Sequence, residues 1–320
     1  MREDQQEEHN DTRVTEFILL GFPGPQSLQM SNFMLFLIMY LLILLGNMAI
    51  ILLVITNCCL HTPMYFFLCN LSFLEIWYTT ASIPKILAIF LGKSRSISFT
   101  ACVTQMYFIF SLGSTEHFML SAMAYDRYLA ISSPLHYNII MDTKLCSTLA
   151  FGSWLGGFLA ISILTYLVTT VSFCGTNVIN NFYCNIDSWL VLSCSDTYVI
   201  ERTAFVIALI VILSSCSVSF ISYMYIISTI LHIPNTKGQQ KAFSTCSSHL
   251  VVLIIWYGST TFLFAKPFKH QSLETNKIVN VFTLIVVPLL NPFIYTLRNK
   301  EVKDVLRHLL HFYFRKTCAR

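Results

Sequence analysis

Four ionisable side chains stand inside otherwise apolar stretches: Glu75, Glu116, Asp126 and Arg127. A charge at bilayer depth costs roughly 2.5–3.5 kcal/mol on insertion scales, so each is a candidate for function. Two carboxylates in one helix bundle can share a proton or hold a cation. The bland alternative is that neighbouring hydroxyls and amides satisfy each one separately. Glu116 and Arg127 lie three helical turns apart, on one face and about 16 Å from each other. Lys85 follows Pro84 near the end of its apolar stretch, where it is expected to snorkel to the interface. His117 adjoins Glu116 but faces another way, and a lone histidine there is more often packing than a metal ligand. No His/Cys cluster has zinc spacing, and no Gly-rich phosphate loop or nucleophile elbow occurs. The residues therefore offer no metal site, no cofactor site and no catalytic set.

Eleven cysteines occur. Cys102 opens one apolar stretch, and Cys174, Cys184 and Cys194 follow at ten-residue steps in a polar loop. Four cysteines on an oxidising face allow three pairings, and two disulfides are expected. They would pin the loop as a lid over the bundle and reduce its unfolded entropy. Cys69, Cys146, Cys216 and Cys246 read as free buried thiols.

The elements that must position these groups follow from composition. The chain is 55% hydrophobic and only 11% charged, against roughly 25% charged in an average soluble domain. That excludes a soluble enzyme, a disordered chain and a coiled coil. No Asp, Glu, Lys or Arg occurs in 17–74, 145–186, 203–236, 242–265 or 278–297. A spanning helix needs about 20 apolar residues, and Pro63 divides the first gap. Seven spans result, at about 28–56, 64–91, 99–131, 145–168, 199–231, 240–265 and 275–297. The expected fold is all-α: an integral membrane bundle at 28–297, an outer tail at 1–27 and an inner tail at 298–320. The inner tail carries Val302, Val305, Leu306, Leu309, Leu310 and Tyr313 at helical spacing, the pattern of a short amphipathic helix on the membrane surface. Its seven Lys or Arg place it in the cytoplasm. The acidic first sixteen residues carry a glycosylation sequon at Asn10, which puts that end outside. They do not read as a cleavable signal peptide.

Several motifs then converge. Gly46-Asn47 lies in span one. Pro63-Met-Tyr-Phe-Phe-Leu68 leads into Asn70-Leu-Ser72, and Met123-Ala-Tyr-Asp-Arg-Tyr-Leu-Ala-Ile131 closes span three. Ser222-Tyr223 lies in span five. Lys241-Ala-Phe-Ser-Thr-Cys-Ser-Ser-His-Leu250 opens span six, and Pro288-Leu-Leu-Asn-Pro-Phe-Ile-Tyr295 closes span seven before Thr296-Leu-Arg-Asn299. Together they resemble an odorant receptor of the rhodopsin-like G-protein-coupled class, of the land-vertebrate type. The resemblance implies odorant binding in the outer half of the bundle and coupling to the heterotrimeric stimulatory olfactory G protein, which raises cyclic AMP. It implies a multi-pass protein of the plasma membrane. Arg127 would meet the G protein, with Asp126 as its resting partner and Tyr128, Tyr223 and Tyr295 at the same face. Asn47, Glu75 and Asn291 would form the central polar site, with Glu116 beside them. Cys102 would pair with Cys184, and Cys174 with Cys194. Two departures stand out: the span-two acid is Glu75 where Asp is commonest, and span six has Trp256-Tyr257-Gly258 instead of Trp-x-Pro. Without that proline, Gly258 is the candidate for a kink.

An odorant is small, volatile and mostly apolar, so it needs a largely dry cavity with one or two polar anchors. On span three, Met106, Ile109, Phe110, Gly113 and Ser114 form one stripe. Tyr257, Thr260, Thr261 and Phe264 form another on span six, with Ile207, Val211 and Val281 to complete the wall. Ordinary helix packing produces such stripes too. No acid lies in the span-three stripe above Glu116, which disfavours a charged amine ligand. A channel would show a polar stripe continuing across several spans, and only isolated acids occur. The expected partners are an odorant, the G protein and membrane lipid, with no nucleic acid.

Overall fold

The computed structural model describes residues 14–173, 176–264 and 273–297. Asn10, Cys174 and the whole 298–320 tail lie outside them, as do the side chains of Lys241 and Tyr295. In chain order the elements are β1 (Glu16–Leu19), α1 (Gln26–Thr56), α2 (Pro63–Thr80), α3 (Ile83–Phe90), β2 (Ser96–Ser98), α4 (Phe99–Ser132) and α5 (Tyr137–Ile140). There follow α6 (Thr143–Thr169), β3 (Val178–Ile179), α7 (Ile186–Leu192), α8 (Tyr198–Leu231), α9 (Thr236–Phe264), α10 (Leu273–Val281) and α11 (Val287–Leu297). A π-helical turn, Phe282–Val286, joins the last two.

Span one is α1, span three α4, span four α6, span five α8 and span six α9. Span two, expected as one helix, is two. Pro84 has no N–H to donate and its ring opposes the carbonyl four residues back, so the helix stops at Thr80 and restarts at Ile83. Gln105 of α4 donates to the freed Ala81 carbonyl at 2.9 Å. Span seven is also interrupted. Pro288 cannot donate, and just before it the Val287 N–H bonds to Phe282 in the π pattern, a local widening. Pro63 opens α2 at a position where a missing N–H is harmless. Asp142 caps α6 by accepting from Leu145 N at 2.7 Å.

Among the described residues five helical stretches are long and apolar enough to cross a membrane, the last of them running through the π turn. Spans two and three fall short because they carry the polar groups, and burial explains why they can. α4 packs against α2, α6, α8 and α9, so most of its surface never meets lipid. α1 shows the opposite face of the rule. Leu35, Ile38, Leu41, Leu42, Leu45, Leu52 and Ile55 are exposed apolar residues, while Phe36, Ile43, Asn47, Ile50 and Val54 turn inward. In lipid an exposed apolar stripe is satisfied, and the polar atoms must point in.

One glycine sets the α4–α6 approach. A Cβ on Gly157 would lie 2.6 Å from the Thr115 backbone nitrogen and 2.8 Å from its Cα. The two backbones therefore touch at this point, and only glycine fits.

The loops at one end of the bundle build a small sheet in the order β2-β1-β3. β1 pairs antiparallel with β2, Phe17 opposite Ile97, and parallel with β3, Leu19 opposite Ile179. The segment before span one thus contributes a strand, Glu16–Leu19, to the lid. Strands of two to four residues carry too little periodicity to be read from the sequence. Gly21, at φ +65°, turns the chain out of the sheet, and its N–H bonds to Asn181 O. Phe17, Phe99, Phe173 and Trp189 pack as one aromatic group beneath the sheet. Cys102 and Cys184 are bonded across 82 residues. Cys194 is also disulfide-bonded, and its expected partner, Cys174, lies outside the described residues. Cys69, Cys146, Cys216 and Cys246 are free thiols.

Gly157→Ala is expected to destabilise the bundle by about 1–3 kcal/mol through overpacking, read as a lower unfolding temperature of purified receptor. Gly152→Ala, whose Cβ would meet nothing within 4 Å, is the matched control; equal effects would refute the close approach. Cys184→Ser should cost about 2–5 kcal/mol and prevent accumulation of folded protein. Peptide mapping without reductant should recover Cys184 joined to Cys102 and not to Cys174.

Candidate ligand site

Beneath the lid lies a cavity of about 110 Å³. α4 contributes Ile109, Phe110, Gly113, Ser114 and His117 to its wall. These recur at three- and four-residue steps, so one face of one helix carries them all. α8 adds Ala204, Ile207, Ala208, Val211 and Ile212; α9 adds Trp256, Thr260, Leu263 and Phe264; α6 adds Ile161 and Leu164. The side towards span seven is more polar, with Asn280 and Thr283, and with Tyr78 from α2. The roof is Tyr183, Asn185, Ile186 and Asp187. Gly113 leaves real space, since a Cβ there would meet nothing within 4 Å.

The structure brings together Ile109, Phe110, Gly113, Ser114, Ile207, Val211, Thr260 and Phe264 from the residues expected on sequence. Four others lie elsewhere. Met106 is buried one turn nearer the lid, in the core around the Cys102–Cys184 bond. Tyr257 turns towards span five, its hydroxyl 3.2 Å from Ser219 Oγ. Thr261 is on the exposed face of α9, one residue and about 100° round from Thr260. Val281 packs in the core with Leu284 and Ile285.

Roof residues were invisible to helical periodicity because a disulfide and a sheet decide where the loop goes. Asn185 caps α7 by accepting from Ser188 N at 3.3 Å, and Gln105 Oε1 accepts from Cys184 N at 3.1 Å. The loop is thereby fastened to α4 twice at Cys184, by the disulfide to Cys102 and by this hydrogen bond to Gln105. Asp187 follows in the first turn of α7. Burial pushes its carboxyl up to about 6, although a hydrogen bond from Asn276 Nδ2, at 3.4 Å, works the other way. It remains mostly ionised at neutral pH. One signal was available in the sequence: an acid in the otherwise uncharged run 186–192.

His117 forms the cavity floor, its ring centroid 5.4 Å from Trp256 and 5.2 Å from Tyr257. Below it is the central polar site. Asn291 Nδ2 donates to Glu75 Oε1, and Asn47 anchors itself by donating to Ile43 O at 3.1 Å. Glu75 and Glu116 are both fully buried and interact electrostatically. Both Glu116 oxygens and the second oxygen of Glu75 lack a hydrogen-bond partner among the described residues. Neighbouring hydroxyls and amides therefore do not satisfy Glu116 there.

At the far end of the bundle Asp126 accepts from Tyr137 Oη at 2.7 Å and lies 4.0 Å from Arg127 Nε. Tyr137, on α5, was not foreseen: a loop contact has no spacing signature. Tyr223 donates to Cys246 O at 3.1 Å and sits 3.0 Å from His249 Nδ1, tying α8 to α9. The Tyr128 ring packs between those of Tyr125 and Tyr225, tilted against each.

Known proteins with the same pattern are numerous. Residues 36–312 match the family model described as olfactory receptor. Olfactory receptor 6F1 of Homo sapiens is 60% identical over 297 residues, 93% of this chain and 96% of that protein. Olfactory receptor 287 of Rattus norvegicus is 58% identical, over 91% of this chain and 94% of the other. Olfactory receptor 6A2 of Homo sapiens is 48% identical, over 94% and 93%. A seven-helix bundle with this motif set and this extent of similarity makes the chain a multi-pass membrane protein that belongs to the olfactory receptor family.

Proposed function

We propose that the cavity under the lid receives a small volatile, mostly apolar odorant, and that occupancy activates a stimulatory olfactory G protein and raises cyclic AMP. The observation that carries this is the cavity itself: mostly aliphatic and aromatic walls, a few hydroxyls and amides, and a roof held by a disulfide. Dry apolar burial supplies affinity, and the few polar groups supply orientation. Ligand-binding residues are Ile109, Phe110, Gly113, Ser114, Ile207, Val211, Thr260 and Phe264, joined by His117 and Trp256 at the floor.

The basic tail and the Asn10 sequon orient the chain with its lid end outside and 298–320 in the cytoplasm of a plasma-membrane receptor. The G protein then meets the end that holds Asp126, Arg127, Tyr128 and Tyr223. Two buried carboxyls without a counter-charge are costly, so Glu75 and Glu116, with Asn47 and Asn291, serve as a site for a shared proton or a cation.

Arg127→Ala should abolish odorant-driven cyclic AMP at unchanged surface level, measured by a reporter alongside surface labelling. A full response would sink the coupling assignment. Gly113→Leu should fill the cavity and remove responses to bulky odorants. Ser114→Ala should remove one hydrogen bond, worth about 0.5–1.5 kcal/mol, and shift half-maximal concentrations of oxygenated odorants roughly two- to tenfold. Hydrocarbon odorants should barely shift. No change from either substitution would move the ligand away from α4.

A further inference from the structure

The cavity is two-sided. Towards α6 and α8 it is aliphatic: Ile161, Leu164, Ile207 and Val211. Towards the lid and span seven it presents Asn185, Asp187, Asn280 and Thr283. Asp187 is, among the described residues, the only acid on the wall. Among the described residues its one hydrogen bond is the long one from Asn276, and no cation pairs with it. The carboxylate is thus half-buried, lines the cavity and retains unused acceptor capacity. A buried carboxylate is stabilised by whatever donates to it and destabilised by whatever presents lone pairs to it.

We infer that this receptor selects amphiphilic ligands whose polar head donates hydrogen bonds, short-chain amines and alcohols, with the head against Asp187 and the hydrocarbon body against α6 and α8. Acceptor-only heads such as ketones and ethers are disfavoured at the same site. The inference rests on the odorant reading of the cavity and adds the ligand's chemistry and orientation to it. It also replaces the sequence-based expectation that a charged amine ligand is disfavoured. That expectation considered only acids on span three, whereas the acid comes from the lid.

The physical basis is charge-assisted hydrogen bonding in a site shielded from water. A neutral Asn at 187 keeps an acceptor oxygen but adds a donor amide and loses the charge. The substitution therefore separates ligand classes rather than removing binding altogether.

The test is a matched panel of straight-chain C5–C8 amines, alcohols, methyl ketones and methyl ethers on cells expressing wild type, Asp187→Asn, Asp187→Glu and Gly113→Leu at equal surface level. Amines or alcohols should activate wild type at concentrations at least tenfold below the ketone and ether of the same length. Asp187→Asn should raise the half-maximal concentration of the donor-headed agonists about tenfold and leave the acceptor-only compounds unchanged or improved. Asp187→Glu should retain the donor preference. Equal potency of the four classes, an equal shift of all four in Asp187→Asn, or a panel without a donor-headed agonist overturns the inference. If Asp187→Asn does not reach the surface, the wild-type ranking decides alone. Agonists indifferent to Gly113→Leu would instead overturn the cavity reading, so the two failures are distinct.

Discussion

The lid depends on one covalent constraint, the bond between Cys102 and Cys184. Cys102 lies in the first turn of α4, the helix around which the bundle is built. Tying the loop there brings Tyr183, Asn185, Ile186 and Asp187 over the gap between α4, α8 and α9. The β1 strand then runs between β2 and β3 and locks the same loop from the other side. A cavity open to lipid or water would be neither dry nor selective. With the roof in place, an aliphatic wall and an acid-bearing roof share one cavity.

α4 makes the rest possible because it is the helix with the least lipid contact. Thr115, Glu116, His117, Ser121 and Asp126 are all buried along it, a density of polar groups that a lipid-facing helix could not carry. The close approach of α6 at Gly157 belongs to the same arrangement: backbone meets backbone there, which keeps lipid away from that side of α4.

Much of this was legible in the chain. The spans end within a few residues of their expected positions, because long charge-free runs leave helix as the only satisfied backbone in lipid. Eight of the expected ligand residues share one cavity, since three- and four-residue steps do mark a helix face. What the sequence concealed was set by contacts between distant segments. The break at Ala81 needed Gln105 from another helix, the strands needed each other, and Asp187 needed a disulfide to carry it over the bundle. The four expected cavity residues found elsewhere make the same point from the other direction. Met106 and Val281 have the right spacing but lie beside a lid and a π turn that the periodicity does not contain.

The hydrogen bonds at the end of the bundle away from the lid are individually modest. Tyr223 holds α9 through neutral bonds to Cys246 and His249, and Tyr137 holds Asp126. Such bonds contribute about 0.5–1.5 kcal/mol each, and no ionic bridge from Arg127 to an acid on α9 occurs among the described residues. A conformational equilibrium guarded by a few of them can be moved by a ligand whose affinities for the two states differ by only a few kcal/mol. That is within reach of a molecule small enough for this cavity. The His117 ring touches the cavity above and the Trp256 and Tyr257 rings beside it, and Tyr257 is bonded in turn to Ser219 of α8. A ligand that displaced this floor ring would therefore act on α8 and α9 together.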